Sequence, residues 1–288
     1  MKRLSRAAAL PLALLPFAAP AGADTASVDR HDIYYEVHGE LTPDTVPVLM
    51  LHGGMMSFEA SYGAMLPVLT ETHTVIGVEQ QGHGHTPLHD GPLTAETMRR
   101  DTLGVLDALS VDRVHVVGFS AGGMLALELA VNAPGRVASV VAISAASQPS
   151  GFMPGMIEMQ KDPNYQPSPD VLALMPSEED FADMAAEIAA KNPGGAETVP
   201  QTMQKMTAFI TSDWGWPDDR IAGIGVPVLV VNGDTDFIQP EHALHLYRTI
   251  PGAQLAILPD TTHLTILEQP ALLPMIETFL DTRAPAGN

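Results

Sequence analysis

The amino-acid sequence predicts an α/β protein in which a doubly wound, mostly parallel sheet carries a helical cap insertion. Helical patterns alternate with apolar, strand-like runs that end at Leu51, Val78, Val117, Ile143, Val231 and Leu258. These runs lack the alternation of a half-solvated strand, which indicates parallel strands buried on both faces. The stretch between Ile143 and Val228 is too long for a simple crossover, and it predicts the insertion.

The first 23 residues predict a secretory signal peptide. Three basic residues fall within the first six positions, an apolar stretch broken by two prolines covers 7–19, and small residues stand at 21–23. The stretch is too short and too interrupted for a membrane span, so we expect cleavage after Ala23 and export to the periplasm or the exterior of a bacterium. An apolar anchor that stays in place is the alternative. We expect no membrane span after cleavage.

The remaining chain divides into a core, residues 24–146 and 221–288, and a cap, residues 147–220. One half of a β-hairpin is predicted over Asp29–His38. Core helices are predicted near Ser57–Thr70, Thr94–Leu109, Ala121–Asn132, Glu241–Thr249 and Pro270–Leu280. The cap holds seven of the 15 methionines, together with phenylalanines and both tryptophans, so we expect a soft apolar lid over a pocket.

Composition limits the partners. The formal net charge is −20, which repels nucleic acid and anionic membranes and is compatible with a small neutral or cationic substrate. The chain has no cysteine, so an exported form is stabilised by its packed core without disulfides. A chain of 288 residues is long enough to bury such a core, and its composition leaves the oligomeric state open.

The segment Gly118-Phe119-Ser120-Ala121-Gly122 predicts a nucleophilic serine. An apolar strand precedes it and a helical pattern follows at once. Two glycines let the strand and the helix approach closely, and the sharp turn between them exposes the Ser120 hydroxyl. The N-terminus of the following helix favours negative charge at this position. Ser120 is therefore the candidate nucleophile.

Two later strands supply a candidate acid and a candidate base. The strand that ends near Val231 leads into Asp234 and Asp236, and the strand that ends at Leu258 leads into His263. The carboxyl ends of parallel strands meet at one sheet edge, where ligands bind in open α/β sheets. His263 would take the proton of the serine, and one of the two aspartates would orient the imidazole. The residues alone leave both aspartates open.

The loop after the first buried strand, His52 to Met56, is the candidate source of an oxyanion donor. A tetrahedral intermediate needs two fixed N–H groups. We expect one from Ala121 and the other from Gly54, with Met55 as the alternative to Gly54. We interpret His52 as a structural residue whose ring hydrogen-bonds the backbone of this turn.

Together these motifs resemble the α/β-hydrolases of the broad esterase, lipase, prolyl-aminopeptidase and cofactor-free haloperoxidase type. The carriers are His52-Gly53-Gly54, Gln81-Gly82-His83-Gly84-His85-Thr86, the segment around Ser120, Gly233-Asp234-Thr235-Asp236 and His263. The resemblance covers about 28–282 and implies that Asp236 is the acid, because it matches the acid of the Gly-x-x-Asp loop. It also implies that no cofactor is needed.

The chain departs from this family at Gln81, where an arginine is usual, so we expect a structural ion pair to be lost or replaced by neutral hydrogen bonds. A dehalogenase is disfavoured, because its nucleophile would be an aspartate where Ser120 stands. His83, His85 and His89 have a spacing that could ligate zinc. The glycines between them indicate a tight turn instead, and we assign no metal.

The sequence thus predicts a secreted serine hydrolase that cleaves carboxylic esters, including bulky and cyclic esters of the lactone or macrolide type. The expected pocket consists of Met55, Met56, Phe119 and Met124 on the floor, with Trp214 and Trp216 in the cap. Because no triad or oxyanion residue falls inside the cap, we expect the cap to select substrates and to contribute little to the chemical step.

Two alternatives remain. An aminopeptidase of the prolyl-aminopeptidase type would need a cap carboxylate to bind the substrate ammonium, from among Glu158, Glu178, Glu179 and Glu187. A catalytically silent binding protein on the same scaffold is the other. Reaction with a fluorophosphonate separates the enzymes from the binding protein, and a substrate panel separates the two enzymes.

Overall fold

Eight strands form one mixed sheet in the computed structural model, which describes residues 22–162 and 164–282. In chain order the strands are β1 Gly22–Val28, β2 His31–His38, β3 Val48–Leu51, β4 Val75–Val78, β5 Val114–Phe119, β6 Val137–Ile143, β7 Val228–Gly233 and β8 Gln254–Leu258. Their spatial order is β1-β2-β4-β3-β5-β6-β7-β8. The β1–β2 and β2–β4 pairs are antiparallel, and every later neighbour is parallel. The mostly parallel sheet is confirmed.

Eleven α-helices lie within the described residues. Those of the core are α1 Phe58–Tyr62, α2 Leu66–Leu69, α3 Ala95–Ala108, α4 Ala121–Asn132, α10 Pro240–Thr249 and α11 Leu272–Asp281. Between β6 and β7 lie α5 Met156–Lys161, α6 Pro169–Leu174, α7 Glu178–Lys191, α8 Thr198–Thr211 and α9 Asp218–Ala222. Side-chain caps begin several of them, because the first N–H groups of a helix have no partner within it. Thr94 caps α3 and Ser177 caps α7 in this way.

The two faces of the sheet pack into separate apolar clusters. Along β3, Leu49 and Leu51 belong to one cluster while Val48 and Met50 belong to the other, as the two-residue repeat of a strand requires. The first cluster takes in side chains of α3, α4 and α10, and the second takes in α1, α2 and α11. Helices therefore cover both faces, and the predicted doubly wound layering is confirmed.

Some boundaries differ from the sequence-based prediction. The helix expected over Ser57–Thr70 is two short helices, because Pro67 has no N–H for the hydrogen bond that would continue α1. The hairpin half at Asp29–His38 pairs with β1, whose first two residues fall inside the predicted signal peptide. Residues 1–21 of that peptide lie outside the described residues. None of the described helices combines the length and apolar character needed to cross a bilayer.

Candidate active site

Ser120 lies in a tight turn between β5 and α4. Its φ and ψ are 54° and −117°, a strained combination for a residue with a side chain. A Cβ on Gly118 would lie 2.1 Å from the carbonyl oxygen of Gly122, and one on Gly122 would lie 2.0 Å from that of Leu51. Only glycine fits at both positions. The Ser120 N–H donates to Ile143 on β6, which holds the turn against the sheet.

The hydroxyl of Ser120, the ring of His263 and the carboxylate of Asp236 form a continuous hydrogen-bonded chain. Ser120 Oγ lies 2.9 Å from His263 Nε2, and His263 Nδ1 lies 2.8 Å from Asp236 Oδ1. With the ring proton on Nδ1, His263 donates to the aspartate and Nε2 can accept the serine proton. The ring and the carboxylate are both buried, so water does not compete for the bond between His263 and Asp236.

The two aspartates of the β7–α10 loop have different partners. Asp236 accepts from His263, from the Ile238 N–H at 2.8 Å and from the Ser144 hydroxyl at 2.5 Å. Asp234 accepts the backbone N–H groups of Asp260 and Thr261 at 3.1 and 3.0 Å, and the Thr261 bond is the first cause of its lowered pKa. Asp236 is thus the carboxylate brought to the histidine, and Asp234 fastens the loop that carries the histidine.

The sequence analysis missed two residues, Ser144 and Phe237, that contact the hydrogen-bonded Asp236 and His263 side chains. Ser144 directly follows β6 and has a φ of 48°, and the ring of Phe237 stacks on His263 with centroids 3.8 Å apart. Phe119 packs near the same imidazole, with centroids 5.0 Å apart. The sequence signals were their positions: Phe237 follows Asp236, and Ser144 comes directly after a predicted strand. Neither position by itself reveals a contact.

The loop from His52 to Met56 lies beside the start of α4, as expected. A Cβ on Gly54 would lie 3.8 Å from the Cβ of Ala121, so the two candidate donor residues are neighbours. The Ala121 N–H belongs to the first residue of α4 and has no acceptor within the helix. Within the described residues, the Gly54 N–H donates to no protein group. Both N–H groups are therefore candidates for binding an oxyanion.

His52 has the structural contacts that the sequence predicted. Its Nδ1 donates to the carbonyl oxygen of Gly53 at 2.8 Å, and its Nε2 accepts the N–H of Gln80 at 2.9 Å. Burial lowers the pKa of His52, which keeps the ring neutral and able to donate and accept at once. The ring therefore shapes the oxyanion loop from the core side.

The loop after β4 accommodates Gln81 without an ion pair at that position. Gln81 is buried, and no hydrogen-bond partner of its carbonyl oxygen lies among the described residues. The nearby carboxylate of Glu79 accepts the N–H groups of Phe58 and His85 and the Nδ1 of His85. Burial would raise the pKa of Glu79, but the hydrogen bonds from His85 outweigh it and the pKa is lowered.

The three histidines that were considered for zinc have separate partners. His83 bonds the carbonyl oxygen of Gln81, His85 bonds Glu79, and the ring of His89 stacks on His31 with centroids 4.0 Å apart. No cluster of three or more metal-ligating side chains occurs in the described ranges.

A cavity of about 510 Å³ opens above Ser120 and His263 and reaches into the cap. Met55, Met56, Phe119 and Met124 line it, where the sequence analysis expected them. Six more methionines, all from the cap, line it as well, namely Met156, Met159, Met175, Met184, Met203 and Met206. Apart from the reacting groups, the lining is almost entirely apolar, with Gln160 and Thr207 as polar exceptions. Apart from His263, no acidic or basic side chain is among its described lining residues.

The placement of Trp214 and Trp216 in this pocket was wrong. Neither side chain lines the cavity. Trp216 is buried and donates its ring N–H to Glu128 of α4 at 2.8 Å, and Trp214 donates to the carbonyl oxygen of Ile210 at 3.0 Å. A buried indole N–H needs an acceptor, and Glu128 of the core helix α4 supplies it for Trp216. Trp214 instead supports Phe209, which does line the cavity.

The chain is similar to known hydrolases in sequence and in fold. The chain is 30% identical over 242 residues to RutD of Azorhizobium caulinodans, which carries the name of a carbamate hydrolase, with 78% of this chain and 85% of that protein covered. It is 25% identical over 272 residues to a proline iminopeptidase of Lactobacillus delbrueckii subsp. bulgaricus, covering 83% and 90%. Among solved structures, Est816, described as an N-acyl homoserine lactone degrading enzyme, superposes with a TM-score of 0.70 at 25% identity, covering 88% and 99%.

The family described by the α/β-hydrolase fold matches residues 46–270, which is most of the chain and includes β3, the Ser120 turn and His263. The match contains the strands of the parallel part of the sheet as well as the segment between β6 and β7. This chain is therefore a member of the α/β-hydrolase fold family, and it is a hydrolase.

Proposed function

We propose that this protein is a serine hydrolase that cleaves carboxylic esters with large apolar groups, including lactones. The hydrogen-bonded chain from Ser120 through His263 to Asp236, at the floor of an apolar cavity of about 510 Å³, is the observation that carries the proposal. A cavity of this size holds a substrate well beyond an acetate ester. The likeness to Est816 supports the lactone class.

The proposed reaction has two halves. Ser120 Oγ attacks the carbonyl carbon while its proton passes to His263 Nε2, and Asp236 stabilises the resulting imidazolium. The N–H groups of Gly54 and Ala121 would stabilise the oxyanion. Collapse breaks the bond to the leaving oxygen, which takes the proton from His263 and departs as an alcohol. In a lactone, that alcohol stays attached to the acyl group.

In the second half, His263 takes a proton from water, and the hydroxide attacks the acyl-enzyme. The tetrahedral intermediate collapses with loss of Ser120, which regains its proton from His263. The products are a carboxylic acid and an alcohol, or a single hydroxy acid from a lactone. The proposed reaction uses no cofactor in either half.

The charges around the cavity argue against the aminopeptidase alternative. Glu158, Glu178 and Glu179 are exposed and do not line the cavity, while Glu187 is bound to Ser57 and Lys191. A substrate ammonium in this cavity would meet no carboxylate among the described lining residues. Asp236 lies behind His263 and is already hydrogen-bonded to His263 and Ser144. A carbamate, the class in the name of RutD, can follow the same acyl-transfer steps.

The test is labelling with a fluorophosphonate, followed by a substrate panel. We expect covalent labelling of Ser120 and the highest kcat/KM on long-chain aryl esters or acyl lactones, above carbamates and amino-acyl amides. A labelled protein that cleaves only amino-acyl amides would establish the aminopeptidase. A folded protein that takes no label would establish the catalytically silent binding protein.

We also propose that the protein is exported from its bacterial cell. The basic start, the short apolar stretch and the small residues before Asp24 support a cleaved signal peptide. The first residue of the protein recovered outside the cytoplasm is expected to be Asp24, as read by N-terminal sequencing. Recovery of full-length chain in the cytoplasm alone would contradict the proposal.

A further inference from the structure

The cap helix α7 is bound directly to Ser57, the residue that follows the candidate oxyanion loop. Glu187 on α7 accepts the backbone N–H of Ser57 at 3.2 Å through one carboxylate oxygen and the Ser57 hydroxyl through the other. Ser57 is fully buried and caps α1 by accepting the N–H of Ala60. A single cap carboxylate thus fixes both the backbone and the side chain at this point of the core.

A lysine on the same helix reinforces this contact. Lys191, one turn after Glu187, lies 3.1 Å from the Glu187 carboxylate and donates to Ser57 Oγ at 3.1 Å and to Glu59 at 2.7 Å. Burial alone would lower the pKa of Lys191, but the hydrogen bonds to Glu59 and Glu187 outweigh it and the pKa is raised. We call Ser57, Glu59, Glu187 and Lys191 the clasp.

The oxyanion loop between Gly54 and the clasp is strained. Met55 has a φ of 62°, a left-handed conformation that is strained for a residue with a side chain. Such a conformation persists only where the surroundings hold both ends. His52 and Ser61 hold the loop on the core side through Gly53. The clasp holds the other end at Ser57, three residues after Gly54.

The cap touches the loop at a second point. The methyl group of Met206 on α8 lies 2.8 Å from the position that a Cβ on Gly54 would take. Gly54 is therefore packed between the cap and Ala121. A displacement of the cap would remove the Met206 contact at Gly54 and the Glu187 hydrogen bonds at Ser57.

We propose that Glu187 is a positioning residue for the oxyanion loop, so that the cap contributes to the chemical step as well as to substrate selection. The inference rests on the proposed ester hydrolysis. Without Glu187, Met55 can relax toward an ordinary backbone conformation, and the Gly54 N–H then shifts away from the oxyanion position. Removal of one oxyanion donor costs on the order of 100- to 1000-fold in kcat, and a shifted donor costs less.

The test compares Glu187→Ala with the wild type on a small aryl acetate, which makes little use of the cap pocket. We expect kcat to fall about tenfold, with KM within about twofold, because the substrate binds but its oxyanion is poorly stabilised. Affinity for phenylboronic acid, which forms a tetrahedral adduct with the serine, should fall by a similar factor. Inhibition by octanol, an apolar probe of the cavity that forms no adduct with the serine, should not change.

Asp183→Ala is the matched control, because Asp183 is an exposed carboxylate one turn before Glu187 on the same helix. It should leave all three measurements unchanged. Glu187→Gln should recover part of kcat, since its carbonyl oxygen can still accept one of the Ser57 donors. A protein merely loosened by the mutation would lose thermal stability without losing boronic acid affinity selectively.

Two outcomes separate this inference from the proposed function. If the wild type takes no fluorophosphonate label and cleaves no ester, the proposed function is wrong and the inference with it. If the wild type is active and folded Glu187→Ala keeps kcat and boronic acid affinity within twofold, only the inference is wrong. Should Glu187→Ala not fold, Ser57→Ala removes the clasp hydroxyl but keeps the N–H, and the same comparison decides.

Discussion

Ser144 donates a 2.5 Å hydrogen bond to Oδ2 of Asp236, while Oδ1 of the same carboxylate accepts from His263. The Ser144 hydroxyl is buried, and so is the carboxylate. Removing the donor leaves a buried carboxylate oxygen without that partner, at a cost of about 1–3 kcal/mol. We therefore expect Ser144→Ala to lower kcat by about tenfold or more, measured by steady-state hydrolysis of an aryl ester.

The backbone of Ser144 provides a control for that experiment. Its φ of 48° suits glycine better than alanine, so Ser144→Gly removes the hydroxyl without strain. Both variants should lose activity to a similar degree if the hydrogen bond matters. Full activity in Ser144→Gly with low activity in Ser144→Ala would show that the backbone, and not the hydroxyl, was responsible.

Ser120→Ala should reduce ester hydrolysis on the order of 10⁴-fold or more while leaving the fold intact. The reason is that no other hydroxyl lies against His263 Nε2 among the described contacts. The comparison uses kcat of purified protein whose thermal unfolding matches the wild type. More than a tenth of the wild-type activity in that protein would rule out Ser120 as the nucleophile.

Asp236→Asn should harm catalysis far more than Asp234→Asn. Asparagine at 236 cannot supply the charge that stabilises the imidazolium, and it favours the wrong ring tautomer, at a cost of about 10⁴-fold in kcat. Asn at 234 keeps an acceptor for the Thr261 N–H, so that variant should lose stability before activity. Side-by-side kcat and Tm measurements decide, and the reverse ranking would assign the acid role to Asp234.

The aromatic rim of the cavity should select substrates by size. Phe181 lines the cavity and is 39% exposed, while Tyr165 is 37% exposed and lies outside the lining. Phe181→Ala should lower kcat/KM for a long-chain aryl ester about fivefold to tenfold, and that for an aryl acetate less than about threefold, because lost apolar contact affects only the larger substrate. Tyr165→Ala should leave kcat/KM unchanged for both esters. Equal losses on both esters in Phe181→Ala would contradict a selective role.

Stability should fall with acidification partly through His242. Burial lowers the pKa of His242 to about 4, and its Nε2 accepts the N–H of Ser147 at 3.0 Å. The unfolded chain therefore binds a proton near pH 6.5 that the folded chain excludes, so this contribution is complete above pH 6.5 and is lost as the pH falls toward 4. It amounts to at most about 3 kcal/mol.

The measurement is the free energy of unfolding in urea between pH 7 and pH 4. His242→Gln keeps an acceptor for the Ser147 N–H but cannot be protonated, so its stability should fall less steeply with acidification than that of the wild type. Parallel curves for the two proteins would show that His242 contributes nothing to the acid dependence.

The parts of the site that the sequence predicted best are those with a local backbone requirement. Gly118 and Gly122 are needed because a strand and a helix meet within van der Waals distance around Ser120, and this is visible as a short motif. His52 was interpreted correctly because a histidine at such a turn has backbone partners one residue away. The tryptophans were misplaced because apolar character predicts burial but not which surface a ring faces.

By itself, the sequence determined the order of the strands along the chain, the parallel sheet and the residues at its carboxyl edge, because buried strands and tight turns leave local patterns of apolar residues and glycines. Only the tertiary structure decided which aspartate meets His263, that Ser144 and Phe237 support it, and that Glu187 reaches Ser57 across 130 positions. These are contacts between distant segments. They depend on how the cap and the loops pack in three dimensions, and no local preference of the chain encodes them.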